Sequence, residues 1–215
     1  MSGPIEGEFT PKALEAGRKL FAQEAVFMLG VVKLDGLPDE GPPEIAFAGR
    51  SNVGKSTLLN ALTNQKGLAR ASNTPGRTRE INYFDLGDLR LVDLPGYGYA
   101  RASRSDVEAW TKLTRLFLQG RSVLRRVCIL VDSRHGLKVT DEDVMDLLDE
   151  AAVAYQIVLT KIDKIKPTAL TVLERRITET IKRRPAAHPV IRSTSSETGL
   201  GIDLLRADLA ALAMQ

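Results

Sequence analysis

A glycine-rich stretch in the first third of the chain carries residue types that hold phosphate. The run "GRSNVGKS" at residues 49–56 fits the P-loop pattern Gly-x-x-x-x-Gly-Lys-Ser. In this pattern backbone N–H groups surround phosphate oxygens at the start of a helix, the lysine reaches the β- and γ-phosphates, and the serine hydroxyl coordinates Mg²⁺. The alternative is a glycine turn with a solvated lysine, but the apolar run before it and the helical run after it favour a P-loop. The sequence therefore predicts that Lys55 contacts phosphate and that Ser56 is a magnesium ligand.

A second stretch, "DLPG" at residues 93–96, follows an apolar run that is typical of a strand. Asp93 at that place can hold the coordination shell of Mg²⁺, and the backbone N–H of Gly96 can sense the γ-phosphate. The D-x-x-G pattern is common by itself, so its position after a strand carries the prediction. A dinucleotide-binding fold fits less well, because neither "GYGYA" nor "GLGID" completes the pattern Gly-x-Gly-x-x-Gly.

A third stretch, "TKID" at residues 160–163, contains an aspartate that can recognise a purine base. Its carboxylate can accept hydrogen bonds from both N1–H and the 2-amino group of guanine, whereas adenine offers neither donor. A buried carboxylate that faced adenine would stay unpaired at a cost of about 1–3 kcal/mol, so Asp163 is expected to select GTP over ATP. The aliphatic stem of Lys161 would cover one face of the base.

A fourth stretch, "STSSETG" at residues 193–199, ends the final predicted strand. The backbone N–H of Ser196 could contact the guanine oxygen, with Thr194 and Ser195 shaping the loop. Taken alone, such a Ser/Thr run is more typical of a turn or a helix cap. All four stretches occur in the order that a nucleotide-binding fold requires, each at the carboxyl end of a predicted strand, and this favours the base-binding role.

The elements that must position these residues alternate along the chain from residue 44 onward. Apolar strand-like runs are separated by helical patterns, which predicts an α/β fold with a mostly parallel six-stranded sheet and helices on both faces. Residues 81–86 and 89–94 are separated only by a Gly-Asp turn, so we expect one antiparallel hairpin there. The predicted strands are "EIAFA", "INYFDL", "LRLVDL", "VCILVD", "YQIVLT" and "HPVIRS".

The N-terminal part of the chain lacks this alternation. Residues 1–10 are predicted to be disordered, and residues 11–29 to form one helix that Pro11 opens. We therefore expect residues 1–43 to form a tail, a helix and a linker, followed by a GTP-binding domain at residues 44–215.

The composition narrows the classes of protein that the chain can belong to. Its 215 residues suffice for one sizeable α/β domain, the net charge is +3, and the single cysteine excludes disulfide frameworks and cysteine-rich zinc sites. Cys128 is predicted to be a core residue, and the two histidines, His135 and His188, to be structural, because neither has metal ligands at suitable spacing. No membrane-length apolar run and no lipidation site is found, so we expect a soluble, cytoplasmic protein without a membrane partner.

Together, the motifs "GRSNVGKST", "NTPGRTREINYF" and "LVDLPGYGYA" resemble those of the EngB-type ribosome biogenesis family, which is related to the translation-factor GTPases. The resemblance runs from about Glu44 to the C-terminus. It implies a P-loop G domain, hydrolysis of GTP to GDP and phosphate, Mg²⁺ as cofactor, and action in assembly of the large ribosomal subunit. The implied partners are the ribosomal RNA and ribosomal proteins of the subunit precursor, and a monomer is expected. Such proteins are also needed for normal cell division and septation.

The family pattern makes "TPGRT" the first switch segment, in which the Thr78 hydroxyl would coordinate Mg²⁺ when the γ-phosphate is present. An ordinary Pro-Gly turn is the alternative. "GYGYARASRSD" would be the second switch. The implied catalytic residues are Lys55, Thr78 and Gly96, and the implied metal ligands are Ser56, Thr78 and Asp93. The implied nucleotide-binding residues are Gly49, Arg50, Ser51, Asn52, Val53, Gly54, Lys55, Ser56, Gly76, Arg77, Thr78, Arg79, Glu80, Asp93, Leu94, Pro95, Gly96, Thr160, Lys161, Ile162, Asp163, Thr194, Ser195 and Ser196.

The residue after "DLPG" bears on the rate of hydrolysis. Ras-like proteins have a glutamine there that orients the attacking water, whereas this sequence has Tyr97, so slow intrinsic hydrolysis is expected. K⁺ is one possible source of help, since Asn52 matches the P-loop asparagine that potassium-dependent relatives use as a ligand. Alternatively Asn52 only permits a tight backbone turn, and the ribosomal particle stimulates hydrolysis.

Arginines surround both switch segments and could meet rRNA phosphates, although a solvated surface is the default for each one. Two other function classes stay open: a P-loop kinase, which would need an acceptor-binding lid, and a membrane-associated signalling GTPase, which the missing lipidation sites disfavour. The arginines in question are Arg70, Arg77, Arg79, Arg101 and Arg104.

Overall fold

The structure, a computed structural model, describes residues 9–69, 80–98 and 104–214, with the side chains of residues 104–111 excluded. Its centre is a seven-stranded sheet in the order β1-β3-β4-β2-β5-β6-β7. Strand β3 runs antiparallel to both of its neighbours, and every other neighbouring pair is parallel. The strands are β1 (Val26–Val31), β2 (Glu44–Gly49), β3 (Ile81–Asp85), β4 (Arg90–Asp93), β5 (Leu124–Asp132), β6 (Tyr155–Thr160) and β7 (Arg192–Ser193).

Helices cover both faces of this sheet, as the alternation predicts. One apolar layer lies between the sheet and α1, α2 and α6, and the other between the sheet and α3, α4 and α5. Successive residues of β2 enter opposite layers, because side chains alternate across a strand: Phe47 packs in the first and Ala46 in the second. The helices are α1 (Pro11–Leu20), α2 (Lys55–Thr63), α3 (Arg104–Gly120), α4 (Val139–Glu150), α5 (Pro167–Ile181) and α6 (Ile202–Ala213).

The N-terminal region differs from the expectation of one helix over residues 11–29. Helix α1 ends at Leu20, and residues 26–31 form β1, the seventh strand of a sheet that was predicted to have six. The side-chain amide of Gln65 holds the approach to this strand, since its Oε1 accepts from the Ala25 N–H at 2.9 Å and its Nε2 donates to the Ala25 carbonyl at 3.1 Å. Pairing with β3 therefore overrides the local helical pattern.

The other strand and helix predictions are confirmed to within a few residues at their ends, with one further exception. The predicted final strand over residues 188–193 is reduced to Arg192–Ser193. His188 still donates its backbone N–H to the Tyr155 carbonyl at 2.7 Å, but the following residue, Pro189, has no N–H to continue a ladder. Of residues 1–10, which were predicted to be disordered, residues 1–8 lie outside the described part of the chain, whereas Thr10 is the N-cap of α1 and accepts from the Ala13 N–H. In the described residues we find no helix with the length and apolar character needed to cross a bilayer.

Candidate nucleotide-binding site

The predicted phosphate loop connects the end of β2 at Gly49 to the start of α2 at Lys55. Two of its residues have left-handed backbone conformations, Asn52 with φ of 63° and Gly54 with φ of 106°. Gly54 is the residue that caps the N-terminus of α2, where asparagine and glycine tolerate positive φ best. The chain therefore adopts the strand–loop–helix arrangement that a P-loop requires, with helix N–H groups at its end available to an anion.

Lys55 forms an ion pair with Asp93 at the carboxyl-terminal edge of the sheet. Asp93 is the last residue of β4 and is only 6% exposed, and β4 is the parallel neighbour of β2, so both residues lie at the same sheet edge. Sequence reasoning placed both near the phosphates and the metal. The structure thus brings the lysine of the first motif and the aspartate of the second into direct contact.

The donor set around this ion pair fits a magnesium ion. Ser56, adjacent to Lys55 on the first turn of α2, supplies a hydroxyl, and Asp93 supplies a carboxylate. A serine hydroxyl and a carboxylate are oxygen ligands of the kind that Mg²⁺ prefers, and Mg²⁺ commonly takes its other ligands from phosphate and water.

The "DLPG" segment runs beside the phosphate loop. Tyr97 donates its backbone N–H to the Gly49 carbonyl at 3.2 Å, and Ser51 donates its N–H to the Tyr97 carbonyl at 3.1 Å. Gly96 lies against the same loop, since a Cβ built on it would be 3.5 Å from the Ser51 nitrogen. Gly96 is therefore held next to the loop that is predicted to hold phosphate.

The Tyr97 side chain points into the protein interior. It is 6% exposed, and its hydroxyl donates to Oδ1 of Asp141 at 2.9 Å. Asp141 is fully buried, and its other oxygen accepts from the Lys138 N–H at 2.9 Å and lies 3.4 Å from Nε of Arg50. Burial raises the pKa of Tyr97 well above its usual value, and the neighbouring Asp141 charge adds to this effect.

Sequence reasoning missed Asp141, which looks like an ordinary capping residue in the first turn of α4. Burial raises its pKa, although hydrogen bonds from Lys138 and Tyr97 favour its charged form. The link between Asp141 and Tyr97 could not be found from local spacing, because the two residues are 44 positions apart in the chain.

The predicted base-binding residues lie at the ends of β6 and β7. Oδ1 of Asp163 accepts a 2.7 Å hydrogen bond from the hydroxyl of Ser195, which is fully buried. The Ser195 hydroxyl, followed by the Lys164 ammonium, holds the pKa of the Asp163 carboxyl below its usual value. Thr194 anchors the loop through its N–H and its hydroxyl, both of which donate to the Leu159 carbonyl at 2.8 Å. The structure therefore joins the third and fourth motifs into one site.

A separate contact ties this base site to the phosphate loop. The hydroxyl of Thr160 donates to the Val53 carbonyl at 2.8 Å, and Nζ of Lys161 donates to the Asn52 carbonyl at 2.7 Å. Cε of Lys161 lies near Gly54, where a Cβ would be 3.5 Å away. The lysine stem thus lies over the phosphate loop.

Several predicted site residues fall elsewhere. Gly76, Arg77, Thr78 and Arg79 of the first switch lie outside the described residues, as do Arg70 and Arg101, and nothing is described of the Arg104 side chain. Glu80 lies beside Gly30 of β1, where a Cβ would be 2.5 Å from its Oε2.

Cys128, His188 and His135, which were predicted to be structural residues, differ in burial. Cys128 is fully buried in the core, and burial raises the pKa of its thiol to about 12. His188 is partly buried and its Nδ1 accepts from the Val190 N–H at 3.2 Å. His135 is exposed in the turn after β5.

The chain is similar to known GTP-binding proteins. The model of a family described as "50S ribosome-binding GTPase" matches residues 44–161. A protein of Hyphomonas neptunium named "Probable GTP-binding protein EngB" is 59% identical over 218 residues, covering 100% of this chain and 99% of its own. A protein of Rhodospirillum rubrum with the same name is 61% identical over 213 residues, with 96% of this chain and 92% of its own covered.

Solved structures share the fold. The crystal structure of a probable GTP-binding protein engB matches with a TM-score of 0.65 and 23% identity, over 80% of this chain and 98% of that one. Era in complex with MgGDPNP and a segment of 16S ribosomal RNA matches with a TM-score of 0.63 and 24% identity, over 80% of this chain and 57% of that one.

Proposed function

The chain belongs to the EngB family of P-loop GTPases, and from this premise we propose that it acts as a GTP-dependent switch in assembly of the large ribosomal subunit. As a member of that family it hydrolyses GTP to GDP and phosphate. The description of the family as 50S ribosome-binding supports the choice of partner. The proposal extends to a role in normal cell division and septation, which the resemblance to this family implies.

One observation carries the nucleotide part of the proposal. The contact of Lys55 with Asp93 and that of Asp163 with Ser195 lie at the same edge of the sheet, and the bond from Thr160 to the Val53 carbonyl joins them. A guanine nucleotide would lie along this edge of the sheet, with its phosphates at the start of α2 and its base at Asp163. The carboxylate of Asp163 would accept from N1–H and the 2-amino group of guanine, and adenine would leave it unpaired.

The phosphate end would use a metal together with residues of this chain. Ser56, Asp93 and Thr78 would hold Mg²⁺, which neutralises charge on the β- and γ-phosphates when it is bound. Lys55 would exchange its carboxylate partner Asp93 for phosphate oxygens, and the N–H of Gly96 would face the γ-phosphate. Thr78 would bind Mg²⁺ only when the γ-phosphate is present, so the conformation of the first switch segment would differ between the GTP-bound and the GDP-bound protein.

Co-sedimentation with large-subunit precursors, in GTP and in GDP, tests the partner. We expect binding in GTP, weaker binding in GDP, and a steep loss of binding with salt, because arginines near the switches would meet rRNA phosphates. A variant with Arg101→Ala and Arg104→Ala should bind the particle less and bind nucleotide as before. The control with Arg175→Ala and Arg176→Ala loses the same charge from exposed positions on α5 and should bind normally. Binding that ignores both salt and nucleotide would contradict the proposal.

A further inference from the structure

The last residue of β5, Asp132, is a buried carboxylate that the nucleotide-binding motifs do not include. Its side chain is 5% exposed. Oδ1 accepts from the backbone N–H of Arg134 at 3.0 Å and from Nε of Arg134 at 2.9 Å, and Oδ2 accepts from the second guanidinium nitrogen at 2.7 Å. Oδ2 also lies 3.0 Å from Nζ of Lys161. Burial would raise the pKa of Asp132, but the bonds from Arg134 and Lys161 outweigh it and lower that pKa.

Lys161 is held at three points. Its backbone has a φ of 58°, a conformation that costs free energy in any residue other than glycine. The hydroxyl of Ser133 donates to the Lys161 carbonyl at 2.9 Å. The Lys161 ammonium contacts both the Asp132 carboxylate and the Asn52 carbonyl. Residues at the end of β5 therefore contact both the backbone and the side chain of Lys161.

A lysine side chain loses considerable rotamer freedom when it becomes ordered, and a ligand that orders it on binding loses affinity by that amount. Here the ordering is already done, because Asp132 and the Asn52 carbonyl each take an N–H of the ammonium. The stem then lies over Gly54, between the phosphate loop and the base loop.

We propose that Asp132 is a positioning residue for guanine nucleotide, which holds Lys161 across the phosphate loop so that its stem is in place to cover one face of the base. This inference rests on the proposed function of the site. In this role Asp132 acts through the Lys161 ammonium and not through direct contact with the nucleotide. The Ser133 hydroxyl holds the same lysine by its hydrogen bond to the Lys161 carbonyl.

Dissociation of a fluorescent GDP analogue from the full chain tests this in a double-mutant cycle. Asp132→Asn keeps the size of the side chain and should raise Kd at least about tenfold through faster release. Lys161→Met keeps the aliphatic stem but removes the ammonium. In the Lys161→Met background, Asp132→Asn should change Kd by less than about twofold, because its route of action is gone. A merely structural effect of Asp132 would be the same in both backgrounds and would overturn the proposal.

Two further variants keep the result interpretable. Asp149→Asn alters a carboxylate on α4 that is likewise bound by an arginine, Arg184, at 2.9 Å and should leave Kd unchanged. Ser133→Ala leaves Asp132 intact and should also speed release. Unchanged release in Asp132→Asn overturns the positioning role, whereas a wild-type chain that fails to bind labelled GDP overturns the proposed function itself.

Discussion

The hydroxyl of Tyr97 donates a 2.9 Å hydrogen bond to Oδ1 of Asp141, and both side chains are buried. Tyr97 occupies the position at which Ras-like proteins place a glutamine that orients the attacking water. Its hydroxyl instead connects the segment after β4 to the first turn of α4. The phenol is therefore engaged in the protein interior.

We expect intrinsic GTP hydrolysis on the order of 10⁻³ per second or below, the scale of unassisted small GTPases. Tyr97→Phe should leave single-turnover hydrolysis within about twofold of wild type. The same change should lower the free energy of unfolding by about 1–3 kcal/mol, because Asp141 loses a buried donor. Phosphate release and urea unfolding of both proteins measure these two effects. A large fall in the hydrolysis rate of Tyr97→Phe would show that the phenol takes part in the reaction.

The left-handed backbone of Asn52 bears on the choice between potassium and the ribosomal particle as activator. A φ of 63° accounts for an asparagine at this turn without a cation. We therefore expect equal turnover in matched KCl and NaCl, and stimulation by the large-subunit precursor. Asn52→Gly is the suitable control, because glycine adopts this φ freely whereas alanine would add strain. Faster turnover in KCl that Asn52→Gly abolishes would identify K⁺ as the activator.

Base selection should depend on Asp163. Asp163→Asn replaces two acceptors by one acceptor and one donor, so GTP binding should weaken by about 1–3 kcal/mol and xanthosine nucleotides should become ligands. Ser195→Ala removes the 2.7 Å bond that orients the carboxylate, together with the oxygen that accepts from the Thr198 N–H, and should weaken GTP without admitting xanthosine. Titration calorimetry with both nucleotides measures this. GTP affinity that does not change in Asp163→Asn would remove the aspartate from the base site.

Two glycines in the loop before α6 offer a matched pair. Gly199 and Gly201 have φ of 79° and 74°, but a Cβ on Gly199 meets nothing within 4 Å, whereas one on Gly201 collides with the Ser193 carbonyl. Gly199→Ala should cost about 1–2 kcal/mol in stability from backbone strain alone. Gly201→Ala should cost at least about 3 kcal/mol and also weaken GTP, because the backbone that carries Ser195 must move. Equal effects of the two substitutions on unfolding and nucleotide titrations would contradict this.

His188 should make stability depend on pH. Burial, followed by the charge of Arg126, lowers its pKa in the folded protein below the ordinary 6.5. The unfolded chain therefore takes up the proton first, so the contribution of His188 to stability is full above pH 6.5 and declines as pH falls toward the folded pKa. Below pH 6.5 the unfolding midpoint of wild type should therefore fall more than the midpoint of His188→Asn. His135→Asn, at an exposed position, should follow wild type, and a His188 variant that does the same would be contrary to the expectation.

Local patterns of residues were sufficient to predict several features of the fold and the site. The alternation of apolar and helical runs specified layers of helix on a largely parallel sheet, and the glycines of "GRSNVGKS" specified the turn into α2. The carboxyl ends of parallel strands meet at one sheet edge, so the order of the motifs was enough to predict that Asp93 and Asp163 share a site.

Contacts between side chains that are distant in the chain could not be predicted in this way. Residues 26–31 became a strand because β3 offered hydrogen-bond partners that a helix would have left unused. Asp141 and Asp132 had no motif to identify them, since a capping aspartate and a strand-end aspartate are common. Their roles depend on Tyr97 and Lys161, which folding brings to 2.9 and 3.0 Å across the sheet edge. A hydrogen bond between residues far apart in the chain depends on the packing of whole elements, and no local spacing records it.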